Sequence, residues 1–222
     1  MNGDIRLWFS KTGPLRFTSH LDFMRYFGRV LKLSKLPVWY TQGFNQRIYF
    51  AFGQPLSLGM SGRREFCDLS LTQDVPKEDI LRALRSYNAQ GFEVYDVTVP
   101  QMKLGEVSFG EYEALYLPED ATPQELFQKV REILSQPEFL IQKKTKARGG
   151  VKTLDLMPYL ATIEFAQRED GVFAHMILPC GSSRENVSPK LVFEAIRDFS
   201  GYSIFQQIER IGFYNAEKES FL

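Results

Sequence analysis

Two hydrophobic periods alternate along this chain in a fixed order, and the order occurs twice. Near the N-terminus Ile5, Leu7 and Phe9 alternate with Arg6, Trp8 and Ser10, the two-residue period of a half-buried strand. Lys11-Thr12-Gly13-Pro14 then reads as a turn. Ser19 followed by Asp22 reads as a helix start, a capping hydroxyl paired with an acid three residues on. Leu21, Met24, Phe27, Gly28 and Leu31 share one helical face, and Asp22, Arg25, Arg29 and Lys32 share the opposite one. Gly28 in mid-helix costs about 1 kcal/mol relative to Ala, which suits a place where another backbone comes close. After Leu36-Pro37 and the loop TQGFNQR at 41–47, Ile48, Phe50 and Phe52 alternate as a strand, with Cys67, Leu69 and Leu71 as its partner. Pro76 opens a second helix carrying Ile80, Leu81 and Leu84, and residues 92–99 form a closing strand.

The same order follows a linker at 100–105. Residues 109–117 read as a strand, and Thr122-Pro123-Gln124-Glu125 as a capping box with proline in the first turn. Leu126, Val130 and Ile133 form the inward stripe of that helix. Strands at 139–144 and 160–165 flank the basic loop KTKARGGVK, and a further strand covers 172–178. Ser188-Pro189 opens a helix carrying Val192, Ile196 and Phe199, and residues 204–214 close the sheet. Strand, helix, strand, strand, helix, strand, read twice, gives an α+β chain of two tandem ferredoxin-like (βαββαβ) units, at 1–100 and 106–222.

The chain's formal charge is zero, but the charge is unevenly distributed. From Met1 to Arg64 ten Lys and Arg stand against Asp4 and Asp22, an excess of eight. Between residues 143 and 152, Lys143, Lys144, Lys146, Arg148 and Lys152 meet no acid. Such blocks are either solvated faces or the footprint of an anionic ligand. No apolar run approaches the ~20 residues that span a bilayer, and no signal-type segment opens the chain, so a cytoplasmic protein that avoids membranes is expected. Cys67 and Cys180 lack metal-type spacing and read as reduced thiols; no metal and no cofactor bound by this chain is expected.

Two stretches could carry recognition. Arg16, Ser19, His20, Asp22, Arg25 and Arg29 surround a helix start, where unpaired N–H groups and the positive end of the dipole attract anions. The same field favours a neutral imidazole at His20. In TQGFNQR, Gln42 and Asn45 supply amides that read base edges, Gly43 permits a positive φ, Phe44 offers a ring on which an unpaired base stacks, and Arg47 adds charge. Lys144, Lys146, Arg148 and Lys152 would grip a phosphate backbone from the second unit. Each stretch also has a plain structural reading: a solvated helix face, a turn and a hairpin tip. His175 lies in a strand pattern and reads as structural. There is no P-loop, HExxH or Cys/His pair.

The run FSKTGPLRFTSHLDFMRYFGRVLKLSKLPVWYTQGFNQRIYFAFGQPLSLGMSGRREFCDLSL resembles the radical SAM-linked protein family: a Lys-x-Gly turn, Arg-Phe-x-Ser-His-Leu-Asp, a spaced Arg pair, Leu-Pro, a Gly-Phe-Asn loop and Pro-Leu-x-Leu-Gly. KTLDLMPYL and SPKLVFEAI extend the resemblance more weakly. The chain departs from the pattern at Gln46 and Arg47 and has Thr41 in place of Ser. The resemblance implies special roles for Arg16, Ser19, His20, Asp22, Arg25, Arg29, Gly43, Phe44, Asn45, Glu65 and Asp155, with Asp22, Glu65 and Asp155 structural or site-supporting. It also implies a B12-binding radical SAM protein as partner, since this chain has no cysteine triad.

The function expected from these features is a non-catalytic RNA-binding module that presents RNA to a radical SAM modification enzyme. Two alternatives stand beside it: a metal-independent endoribonuclease using His20, and an interaction scaffold for a radical SAM partner.

Overall fold

The alternating N-terminal stretch forms β1 (Gly3–Lys11) in a computed structural model that describes residues 3–144, 150–181 and 185–221. The chain divides into two compact units. One comprises Met1–Phe109 with Glu209–Leu222, and the other Gly110–Ile208. The expected linker at 100–105 falls near the first crossing, but the last stretch of chain belongs with the first unit.

In the first unit β1 lies between β3 (Ser61–Leu71) and β4 (Phe92–Thr98), antiparallel to both. β2 (Phe50–Phe52) pairs antiparallel with the far side of β3, with Phe50 opposite Leu69 and Phe52 opposite Cys67. The strand order is β4-β1-β3-β2. β10 (Ile204–Tyr214) reaches this unit with its last residues, which run parallel to β3 through Glu209–Ser61 and Arg210–Gly62 and make the sheet mixed. β1 departs from its expected half-buried character. Ile5, Leu7 and Phe9 are buried, but so are Arg6 and Trp8 on the other face. That face is covered by Phe66 and Phe221, whose rings lie 4.2 and 5.4 Å from the Arg6 guanidinium. Arg6 tolerates burial because Asp68 takes Nε and Nη2 at 2.7 and 2.9 Å.

α1 (His20–Leu33) starts where expected, with the Asp22 amide donating to the Ser19 hydroxyl at 3.2 Å. Its buried stripe is Phe23, Phe27, Val30 and Leu31, whereas Leu21 is exposed. The expected face is therefore rotated by about one residue. The cause is aromatic: Phe23 and Phe27 fill the space over Phe9, Phe52 and Phe92, with ring centroids 5.2–5.9 Å apart. Gly28 faces the Phe50 ring, 3.4 Å from where a Cβ would sit, so a side chain and not a backbone uses the space. α2 (Lys77–Arg85) buries Ile80 and Leu84, with Pro76 at the cap position.

The second unit contains β5 (Phe109–Pro118), α3 (Pro123–Leu134), β6 (Leu140–Lys144), β7 (Val151–Asp155), α4 (Met157–Leu160), β8 (Glu164–Gln167), β9 (Val172–Pro179) and α5 (Pro189–Ser200). The Thr122–Glu125 capping box forms in both directions, at 2.7 and 3.2 Å. Its sheet runs β10-β5-β9-β8, while β6 and β7 make a separate hairpin. The strand expected at 160–165 is corrected: Leu160 ends a short helix and the strand begins at Glu164. Pro158 after Met157 fixes φ in that helical turn, and Asp155 Oδ1 accepts the Met157 amide at 2.9 Å to start it. Phe199 is part-exposed against Phe139 instead of inward.

The described residues form a mixed α+β chain with five α-helices, none long and apolar enough to cross a membrane. Cys67 and Cys180 are buried and unbridged.

Candidate nucleic-acid interface

His20 takes the first helical position, and its ring turns inward. It meets Phe52 edge-on at 5.8 Å and lines a cavity of about 10 Å³ with Lys11, Phe23, Gln54 and Glu65. That volume holds about one water and excludes a phosphate. His20 was expected to meet an anion at the helix start; it instead faces a cation, Lys11. Burial first, and the Lys11 charge second, push its pKa below 6.5. The ring is neutral at physiological pH, but the protein interior is the larger cause, where the sequence had suggested the helix dipole.

Lys11 is itself buried. Its ammonium donates to the Thr18 carbonyl at 3.0 Å and lies 5.1 Å from the Phe23 ring centroid. Desolvation lowers its pKa, with the Glu65 charge opposing and the Arg210 charge assisting. Glu65 accepts from Arg210 Nε at 2.8 Å and also from Nη2, and the same Nη2 donates to the Gln54 carbonyl at 2.8 Å. A Cβ on Gly62 would lie 2.3 Å from the Glu65 carboxylate, so glycine is what admits it. Glu65 thus bonds the buried Arg210, from the far end of the sequence, and shares a cavity with the buried Lys11.

Sequence reasoning missed Lys11, Gln54 and Arg210. One signal was available. Lys11 continues the inward phase of Ile5, Leu7 and Phe9, and Arg210 continues that of Ile208, so each is a charge in an apolar phase.

Arg25, Arg29 and Lys32 stand on the exposed face of α1, with Arg25 3.1 Å from Asp22. The Asp22 carboxylate also accepts from the Ser19 hydroxyl, which is the largest reason its pKa is lowered. Arg16 lies in the 3-10 turn Gly13–Phe17, its guanidinium 4.7 Å from the Phe17 ring. Because Arg6 and Lys11 are internal, the surface share of the first basic block is smaller than its sequence count.

The loop at 41–47 closes through the Thr41 amide to the Arg47 carbonyl at 2.8 Å and the Arg47 amide to the Thr41 hydroxyl at 3.1 Å. Gln42, Gly43, Phe44, Asn45 and Gln46 are all exposed between these two hydrogen bonds, Gly43 has φ +121°, and Phe44 is exposed over its whole surface. Trp39 and Tyr49 meet edge-on at 5.8 Å at its base, both part-exposed.

The second basic block belongs to the other unit. Lys152 Nζ is 3.0 Å from Glu185, and Lys143 donates to the Asn186 carbonyl. Lys144 ends β6, while Lys146 and Arg148 lie outside the described residues. Asp155 Oδ1 accepts the Phe139 amide as well as that of Met157. His175 Nε2 lies 2.8 Å from Glu111. The described residues hold no cluster of three His, Cys, Asp or Glu suited to a metal ion.

A family model described as "Uncharacterized protein conserved in bacteria (DUF2344)" matches residues 4–189. The chain belongs to that family. No curated protein matches this DUF2344 chain. Among solved structures it is similar to a chain of the "Crystal Structure of a Cbf5-Nop10-Gar1 Complex", with TM-score 0.50 and 14% identity over 96% of this chain and 49% of that one. The DUF2344 chain therefore spans about half the length of that neighbour, and at this identity the likeness is one of fold alone.

Proposed function

We propose that this DUF2344 protein is a cytoplasmic RNA-binding module whose first unit takes single-stranded RNA on the loop at 41–47 and the outer face of α1. Phe44 is the observation that carries the reading. A ring wholly in water, flanked by exposed amides on a loop whose base carries the Trp39–Tyr49 pair, offers a stacking platform with donors and acceptors around it. Arg25, Arg29 and Arg47 supply the sequence-independent attraction to phosphates. The strand orders β4-β1-β3-β2 and β10-β5-β9-β8 support reading each unit as ferredoxin-like, with β6–β7 inserted in the second. The resemblance to the radical SAM-linked family supports a modification enzyme as the partner that receives the RNA. The part-buried His20 ring faces Phe52 and a cavity too small for a scissile phosphate, which weighs against the endoribonuclease alternative.

The test is fluorescence anisotropy of a labelled unstructured RNA oligonucleotide across a salt series. Phe44→Ala is expected to weaken binding about 5- to 150-fold, the loss of one stacked base. The Arg25→Ala/Arg29→Ala pair is expected to keep the fold and to make the log–log salt slope shallower by about 0.7 for each phosphate that is no longer neutralised. Binding that ignores Phe44, or a salt slope unchanged by the Arg pair, would return both features to plain surface.

A further inference from the structure

A groove of about 730 Å³ opens on the first unit's sheet, on the side of β1 that carries Trp8 and Ser10. The volume falls within the ~300–1,000 Å³ of typical small-ligand clefts. Its geometry begins with a register shift. Trp8 pairs with Asp96 but Phe9 with Val94, so Tyr95 has no partner across the ladder. A bulge of this kind re-aims side chains. Here Glu93, Tyr95 and Asp96 all line the same groove, which strict alternation would forbid.

The floor is fixed. Trp8 Nε1–H donates to the Thr98 hydroxyl at 3.0 Å, and the indole packs on Phe66 at 5.3 Å. Above it lies the Arg64 guanidinium, 5.2 Å from the indole centroid. A guanidinium at this distance from one ring can also receive a second flat ring and donate from its edge to an anion. The charges around the rim are partly committed: Arg63 pairs with Glu209, and Lys77 pairs with Asp96. Among the described residues Arg64 and Glu93 make no ion pair, and Arg63, though paired with Glu209, keeps 66% of its side chain exposed, so the groove presents two arginines to an anion and one unpaired carboxylate. Burial first pushes the Tyr95 phenol up to about 12, which keeps it a hydrogen-bond donor at physiological pH.

We infer that this groove binds a single unpaired nucleotide, with the base against Tyr95 and the Arg64 plane, an exocyclic amino group donating to Glu93, and the phosphate on Arg64 and Arg63. Each part of the ligand meets matching chemistry: a flat ring, an amino donor and an anion. The choice of a nucleotide rests on the RNA-binding reading above, but the groove is separate from the loop at 41–47, and its residues are not those of that loop.

The experiment titrates the full chain with 5′-AMP, 5′-CMP, adenosine and pyrophosphate, following the Trp8 indole N–H by ¹H–¹⁵N NMR, with Trp39→Phe to assign the resonance. Saturable shifts with the two nucleotides are expected, about tenfold weaker with adenosine, and none of comparable strength with pyrophosphate. Arg64→Gln and the exposed Arg63→Gln should each weaken AMP binding, and Phe44→Ala should leave it unchanged. Retained dispersion of the spectrum shows that each variant is folded; should Arg64→Gln unfold, Arg63→Gln carries the test. No saturable shift, equal binding of pyrophosphate, or indifference of AMP to the arginine variants would overturn the inference. Loss of RNA binding in Phe44→Ala with AMP binding intact separates this site from the loop. AMP binding with an RNA-silent loop would sink the loop reading alone.

Discussion

The Glu65 carboxylate is the acceptor on which the buried Arg210 depends, and Glu65→Gln tests this with almost no change of shape. In the native chain Glu65 and Arg210 are 4% and 3% exposed, and Lys11 beside them is 2% exposed. The substitution leaves the buried Arg210 without its carboxylate and the buried Lys11 without the opposing charge nearby. Two charge-assisted hydrogen bonds at about 1.5–3 kcal/mol each give a loss of about 3–6 kcal/mol. Removing one partner of a buried ion pair independently gives about 3–5 kcal/mol. Urea unfolding followed by tryptophan fluorescence is the assay. Both tryptophans, Trp8 and Trp39, lie in the first unit, so the signal reports that unit alone. With m of about 2 kcal/mol/M the midpoint should fall by about 1.5–3 M. The combined change Lys11→Met, Glu65→Leu, Arg210→Met removes the charges together and should recover most of the loss, because apolar residues of similar volume often replace a buried ionic group without cost. A Glu65→Gln midpoint within about 0.5 M of wild type, at unchanged m, would refute the assignment.

Two further predictions concern the same interior. Because the pKa of His20 is lowered from 6.5, the unfolded chain binds a proton more readily than the folded one, so stability is full above pH 6.5 and declines as pH falls through 6.5 toward the folded value. His20→Asn should flatten that decline in urea midpoints measured at successive pH values, and RNA incubated with either protein should stay uncut; a decline that persists in the variant would assign it to other groups. Gly62→Ala should cost about 1–3 kcal/mol by driving the Glu65 carboxylate off Arg210, read as a lower urea midpoint, and a neutral result would show that the carboxylate has room to move.

Local signals in the sequence were reliable wherever local physics decides. Ser19, Thr122 and Ser188 all cap helices, because the capping oxygen and the amide it serves lie within three residues of each other. Strand alternation located β1, β5, β9 and β10, but it misjudged the second face of β1. Arg6 becomes an interior residue only through Asp68, Phe66 and Phe221, all remote in sequence. The phase of α1 moved for a similar reason, since Phe23 and Phe27 answer rings contributed by β1, β2 and β4. In the candidate site, exposure of the loop at 41–47 and of the Arg25/Arg29 face followed from polarity. The groove was not legible, because it depends on a one-residue bulge between β1 and β4 that no periodicity reports.

The two memberships of β10 set an order in time. Residues 204–208 of that strand belong to one unit and 209–214 to the other. Arg210, which neutralises Glu65, lies 145 residues further along the chain. At about 5–20 residues per second a ribosome takes roughly 7–30 s to cover that distance. During that interval the nascent first unit holds Glu65 beside Lys11 but without Arg210, and β3 without its parallel neighbour. The second unit, continuous in sequence, can fold before the first is complete. A nascent chain stalled near residue 208 should therefore expose the Ser61–Gly62 end of β3 as an open edge, a natural docking point for a chaperone or for a second stalled chain.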